Sequence, residues 1–279
     1  MPNPAHIPMR VLNCGWGATA FILLMWSLAP AQTQSAQSRL EGMWSDPPTT
    51  PVAEFCMFEC TDAGVARLNE LLDNPANDAR PFNQLQTEAR NYETEYLRSR
   101  LTDDALKSYP IDQADNPSFL RCEPPGVAQQ MFMPHQLEIR KRGNDRIELH
   151  YGEWDARRTV YMDGRKRPAN QAATAMGFSV GHWEGETLVV ETSSIAANIA
   201  GWPRVLALSA KHSDQLRIME RYTRSEDGKT LLMTATIQDP WSLREPIVLK
   251  KMWRWAPESR IAPYKDCQRP TEFKKGVTQ

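Results

Sequence analysis

The chain has 279 residues and a formal net charge of −1, with 41% hydrophobic and 24% charged residues, ordinary values for a globular protein with a sizeable core. That balance leaves no electrostatic drive toward nucleic acid or an anionic membrane surface. Nine Trp and twelve Met supply a large apolar interior without requiring a ligand.

Arg10 is the sole charged residue before Arg39, and it precedes an apolar run from Cys14 to Leu28. That run has the length of a signal-peptide core and is short for a membrane span. Ala29-Pro30-Ala31 places small residues at the −3 and −1 positions. Residues 1–31 are therefore expected to be a signal peptide cleaved after Ala31, giving a periplasmic or secreted protein with no membrane span after cleavage. The other reading of the same run is an uncleaved anchor. Cys14 opens the run rather than ending it, which argues against a lipoprotein cleavage site. Removal of Cys14 leaves Cys56, Cys60, Cys122 and Cys267, an even number in an oxidising compartment. Their spacing resembles no compact zinc knuckle, so disulfides Cys56–Cys60 and Cys122–Cys267 are expected.

Residues 32–60 read as a polar leader, a Gly42-Met43-Trp44 triplet and a Pro-rich stretch, Asp46 to Pro51, expected to break regular structure. Lipocalins open their barrel with such a Gly-x-Trp. Residues 61–125 are expected to be helical. Thr61-Asp62 caps a helix carrying Val65, Leu68, Leu71 and Leu72; Pro81 starts a second with Leu85, Ala89, Tyr92, Tyr96 and Leu97 at helical spacing; Thr102-Asp103-Asp104 caps a third.

The period changes to two in residues 126–267. Strand-like arms run over 131–139, 146–151, 157–162, 177–184, 187–192, 216–223, 230–237 and 247–255, with turn signals at Gly143, Gly164, Gly185 and Gly228. About eight strands with mostly short turns predict a mainly β fold, an antiparallel up-and-down β-barrel or strongly curved sheet with an N-terminal helical segment. Residues 268–279 are a tail.

Gly177-Phe178-Ser179-Val180-Gly181 matches a nucleophile elbow, but that motif requires a strand, a tight turn and a helix. Here a second β-branched arm follows, so the glycines are read as permitting a bend or close strand approach. His135, His150, His182 and His212 have no metal-ligand spacing, and neither a metal nor a cofactor is expected. Ionisable residues inside apolar arms are more informative. Arg158 shares parity with Val160, Glu220 with Ile218, and Lys251 with Leu249 and Trp253. If the apolar partners face inward, these charges do too, and they must pair. Such a cluster can fix a ligand's polar head or serve as a structural ion pair. Tyr161 and His212 stand at strand ends, where loop residues line cavity mouths.

Arg158-x-Val-Tyr161-x-Asp-Gly-Arg165, the Trp183-Glu-Gly-Glu-Thr-Leu-Val-Val-Glu191-Thr192 block, Glu220-Arg221 and Asp239-Pro240 together resemble a family of exported, uncharacterised bacterial proteins. Glu186 and Glu191 stand where that family carries aspartates. The resemblance spans approximately Cys122 to Cys267 and implies export and a calycin-like barrel, without a reaction.

The expectation is thus an exported barrel binding a small hydrophobic molecule through Arg158, Tyr161, Glu191, His212 and Glu220. A second reading is a cofactor-free isomerase, lyase or hydrolase with Glu220 or His212 as base and Tyr161 or Arg158 stabilising negative charge. A third is a structural envelope module without a ligand.

Overall fold

The computed structural model describes residues 39–45, 50–107, 124–197 and 211–262. The expected signal peptide, the Cys122–Cys267 pairing and the tail lie outside the described residues.

Nine strands close into a barrel in chain order: β1 (Gly42–Ser45), β2 (Leu137–Arg142), β3 (Arg146–Tyr151), β4 (Arg157–Tyr161), β5 (Phe178–Glu184), β6 (Thr187–Ser193), β7 (Arg217–Arg224), β8 (Thr230–Gln238) and β9 (Ile247–Trp255). Gly185 (φ 59°) and Gly228 (φ 72°) make the tight β5–β6 and β7–β8 turns in left-handed backbone, which a glycine adopts without steric cost. Alternation buries one face of most strands. In β8, for example, Leu231, Met233, Ala235 and Ile237 are all buried while Gln238 is exposed.

The barrel differs from a plain meander in two places. β1 is an additional short strand that pairs with β2 and β9 (Trp44↔Leu137, Trp44↔Trp255) and so closes the wall. Trp44 is fully buried, meets Trp255 edge-on at 4.9 Å, and donates from Nε1 to the Leu40 carbonyl at 3.0 Å. The Arg224 guanidinium lies over both rings, at 5.1 and 4.5 Å, sealing the end of the barrel that carries the tight turns. Secondly, β4 and β5 pair in parallel (Val160↔Ser179). Asp163-Gly164 is therefore not a hairpin tip. It begins a crossover over residues 162–177, of the length parallel pairing requires.

Among the described residues five α-helices accompany the barrel: α1 (Pro51–Phe55), α2 (Asp62–Leu72), α3 (Phe82–Arg98), α4 (Asp103–Lys107) and α5 (Val127–Gln130). The Pro-rich stretch ends in a helix rather than a break, because Pro51 occupies the first helical turn and Thr50 caps it, accepting from the Ala53 amide at 3.2 Å. Cys56–Cys60 forms the expected disulfide. Phe55, Leu68, Leu71, Leu85 and Ala89 make a second core that packs on Met252 of β9, so α2 and α3 lie against the outer wall. The arm expected from Met131 begins only at Leu137, since α5 and a turn occupy the residues before it.

At the end of the barrel opposite the Trp44 seal, Asp239 is buried and gathers donors from the Ser213 amide (2.7 Å), Ser213 Oγ (2.6 Å) and Ser242 Oγ (2.7 Å). It ties the start of β7 to the β8–β9 connection. Asp239→Ala leaves these donors without an acceptor and is expected to cost at least ~2 kcal/mol, read as a lower urea midpoint.

Candidate functional site

Arg158, Glu220 and Lys251 all point into the barrel and are 3%, 0% and 2% exposed. Arg158 grips Glu220 with both guanidinium nitrogens, Nη1 to Oε1 at 2.7 Å and Nη2 to Oε2 at 2.5 Å. Tyr222 Oη donates to Glu220 Oε2 at 2.6 Å, and Arg158 Nη2 reaches Tyr151 Oη at 3.1 Å. Thr192 and Ser179 extend the chain, their hydroxyls 2.9 Å apart and Thr192 Oγ1 3.4 Å from Arg158 Nη1. Burial would lower the Arg158 pKa, but Glu220 together with the Tyr151 and Tyr222 phenols outweighs it and holds the guanidinium well above its usual range. Burial pushes the Tyr151 phenol up to about 12 and holds the Tyr222 phenol well above its usual range. Both oxygens of Glu220 accept bonds from Arg158 or Tyr222, an arrangement that binds charge to charge and ties β4 to β7.

The five residues expected at one cavity are not brought together. Only Arg158 and Glu220 meet. Tyr161 faces outward, stacked on Phe178 at 5.3 Å with the Arg165 guanidinium 4.1 Å from its ring. Glu191 is exposed and lines a groove on the outer wall. His212 is 2% exposed, its Nδ1 2.9 Å from the Ser213 carbonyl, and burial lowers its pKa. Ser179 of the Gly-x-Ser-x-Gly stretch is buried near the start of β5, on Thr192. Its second glycine is there for close approach, because a Cβ on Gly181 would stand 2.7 Å from Val160.

A different set of residues surrounds a cavity of about 400 Å³ at the end of the barrel opposite the Trp44 seal. Phe58 and Glu59 come from the disulfide loop, Gln129 from α5, Phe132, Met133, Pro134 and His135 from the approach to β2, and Glu153 from the β3–β4 turn. His135 Nε2 pairs with Glu153, and the Glu153 carbonyl accepts from Gln130 Nε2 at 3.0 Å. Gln129 Oε1 is buried and has no hydrogen-bond partner among the described residues. Lys251 stands behind this cavity, its Nζ bonded to the carbonyl of Met133. Burial brings its pKa down from 10.5 to about 7, against the pull of Glu59 and Glu153. His135 of the lining (φ 143°), and Trp154 (φ 60°) and Asp155 (φ 50°) next to Glu153 in the β3–β4 turn, hold positive-φ backbone without being glycine, at a cost of order 1–3 kcal/mol each. Among the described residues, no three His, Cys, Asp or Glu side chains gather as a metal site, and no helix is long and apolar enough to cross a membrane.

Sequence reasoning placed Lys251 inside the barrel and missed the residues that line this cavity. Its residues come from separate parts of the chain, and only the Cys56–Cys60 pair hinted that Phe58 and Glu59 are held in place.

No family model and no curated protein matches the chain. A solved structure with some likeness is described as that of a secretary abundant heat soluble (SAHS) protein from Ramazzottius varieornatus, 14% identical, covering 46% of this chain and 76% of that one, with a TM-score of 0.26.

Proposed function

We propose that this is an exported barrel that binds a small, mainly apolar molecule carrying a hydrogen-bond-donating head, in the cavity between the disulfide loop and the approach to β2. The observation that carries this reading is the lining itself. Phe58, Phe132, Met133 and Pro134 offer an apolar body, while Glu59, Glu153 and the unpartnered Gln129 Oε1 offer acceptors. A volume of about 400 Å³ lies in the range of small-molecule sites, which combine apolar walls with a few convergent polar groups. The strained backbone of His135 in the lining, and of Trp154 and Asp155 beside Glu153, supports the same place, because such strain clusters at functional sites. An amine or another N–H donor answers the acceptors, and the aromatic walls favour a cationic head further.

Octylamine is the simplest probe, an ammonium with an apolar tail at neutral pH. It is expected to bind the purified protein in calorimetry and to compete with any ligand that co-purifies in native mass spectrometry. Met133→Trp, which fills the cavity from a half-buried position, should abolish binding. Glu153→Gln should weaken it about tenfold, the worth of one charge-assisted hydrogen bond. Equal binding by wild type and Met133→Trp would rule this cavity out.

A further inference from the structure

The crossover that parallel pairing of β4 and β5 requires does not run through the interior. It passes over the outside of the wall, and beneath it lies a groove of about 470 Å³ lined by the outward residues Phe178 and Val180 of β5, Glu191 and Ser193 of β6, Arg217 and Met219 of β7 and Thr236 and Gln238 of β8. Arg165, Lys166 and Arg167 of the crossover form its other side. The strand register sets these residues in rows, with Val180 opposite Glu191, Glu191 opposite Met219, and Arg217 opposite Gln238. Past Arg167, Ser193 and Arg217 the groove continues into a shallower cleft of about 220 Å³ that holds Gln171, Ser194 and Asp214.

Two properties of the groove are unusual for the outer wall of a barrel. Its floor carries exposed apolar side chains beside polar ones: Phe178 and Val180 are only partly covered, and Met219 is 40% exposed. Its charge is also unbalanced. Arg165 is neutralised by Asp163, whose carboxyl it holds down at about 2. Among the described residues, Arg167 reaches only the Pro168 carbonyl, at 3.5 Å. Lys166 and Arg217 make no ion pair among the described residues. Against these cations the main groove sets one carboxylate, Glu191. Arg167 and Arg217 line both cavities, so they flank the junction between them.

We propose that this groove is a second binding site, for an amphiphilic carboxylate whose apolar body lies on Phe178, Val180 and Met219 and whose head is held between Arg167 and Arg217. Guanidinium groups bind carboxylates through paired, charge-assisted N–H donors. Here two of them lack a carboxylate partner among the described residues and stand beside apolar surface that water covers at a cost of about 25 cal/mol per Å². The crossover keeps the cations over that floor.

The test compares octanoate with octanol, which share a tail and differ in charge. Octanoate is expected to bind at least tenfold more tightly than octanol, and raised salt should erode the difference. Arg217→Gln and Arg167→Gln should each weaken octanoate about tenfold, the loss of one charge-assisted contact. Both positions are exposed, so the fold is expected to survive, as circular dichroism would verify. Octanoate binding should persist in Met133→Trp, and octylamine binding should persist in Arg217→Gln, which separates this site from the cavity proposed above. Equal affinity for octanoate and octanol, unchanged octanoate binding in both arginine variants, or its loss in Met133→Trp would each overturn the proposal.

Discussion

Glu220→Leu is expected to destabilise the barrel by about 3–5 kcal/mol. The substitution removes the partner that Arg158 holds at 2.7 and 2.5 Å and leaves a guanidinium that is 3% exposed with only hydroxyl groups near it. Transferring a lone charge into such surroundings costs far more than the hydrogen bonds of Tyr151 and Thr192 return. The informative comparison is the double variant Arg158→Met/Glu220→Leu, which carries two apolar side chains of similar length at the same places. Buried pairs give back in attraction roughly what they cost in desolvation, so the double variant is expected to unfold within ~1 kcal/mol of wild type. Urea denaturation of the two single variants and the double variant gives the coupling energy directly. Single variants that each lose less than ~1 kcal/mol would show that the pair is hydrated, which would return Glu220 to consideration as a ligand or proton acceptor.

The inward facing of that pair was readable before any coordinates, because β4, β7 and β9 alternate cleanly. Arg158, Glu220 and Lys251 share the parity of apolar neighbours, and a period of two leaves one choice of face. The hairpins were readable for the same kind of local reason, with Gly185 and Gly228 marking the turns. Glu191 was not readable in this way. It follows Leu188-Val189-Val190, a continuous apolar run with no alternation, and it proves to lie on the outer wall. The parallel β4–β5 pairing was hidden because Asp163-Gly164 has the composition of a hairpin tip, while the length of the crossover beyond it carries the real signal. The short β1 strand escaped a periodicity argument altogether, and its role in closing the wall depends on Trp44 meeting Trp255 from the far end of the chain. The cavity lining follows from tertiary contact alone. Glu59, Gln129, His135 and Glu153 have no common motif, and no spacing rule could have joined them.

Lys251→Met is expected to act in the opposite direction to Glu220→Leu and to raise stability by about 3 kcal/mol at pH 7. The ammonium is 2% exposed, and burial lowers its pKa from 10.5 to about 7. The sign follows from proton counting. Below pH 7 both the folded and unfolded chains hold the proton, and the full cost of burying it is present. Between pH 7 and 10.5 the unfolded chain binds a proton that the folded chain has released, so stability rises with pH, by up to ~1.4 kcal/mol per unit. From pH 7 to pH 9 the wild type should therefore gain roughly 2 kcal/mol that the methionine variant does not. The difference between the two denaturation curves isolates this group, since all other titrations are common to both. The contrast with Arg158 has a structural cause. Arg158 has a carboxylate bound to its guanidinium, whereas the Lys251 amine is bonded to the Met133 carbonyl, with its ring contact to Trp253 at 4.6 Å, and Glu59 and Glu153 act on it only through their charge. A buried lysine that costs stability at neutral pH, directly behind a cavity with strained backbone in and beside its lining, fits a place where ligand contacts offset what the fold gives up. Parallel stability curves for wild type and Lys251→Met would remove that support, because they would mean that the ammonium is as well solvated in the barrel as in the unfolded chain.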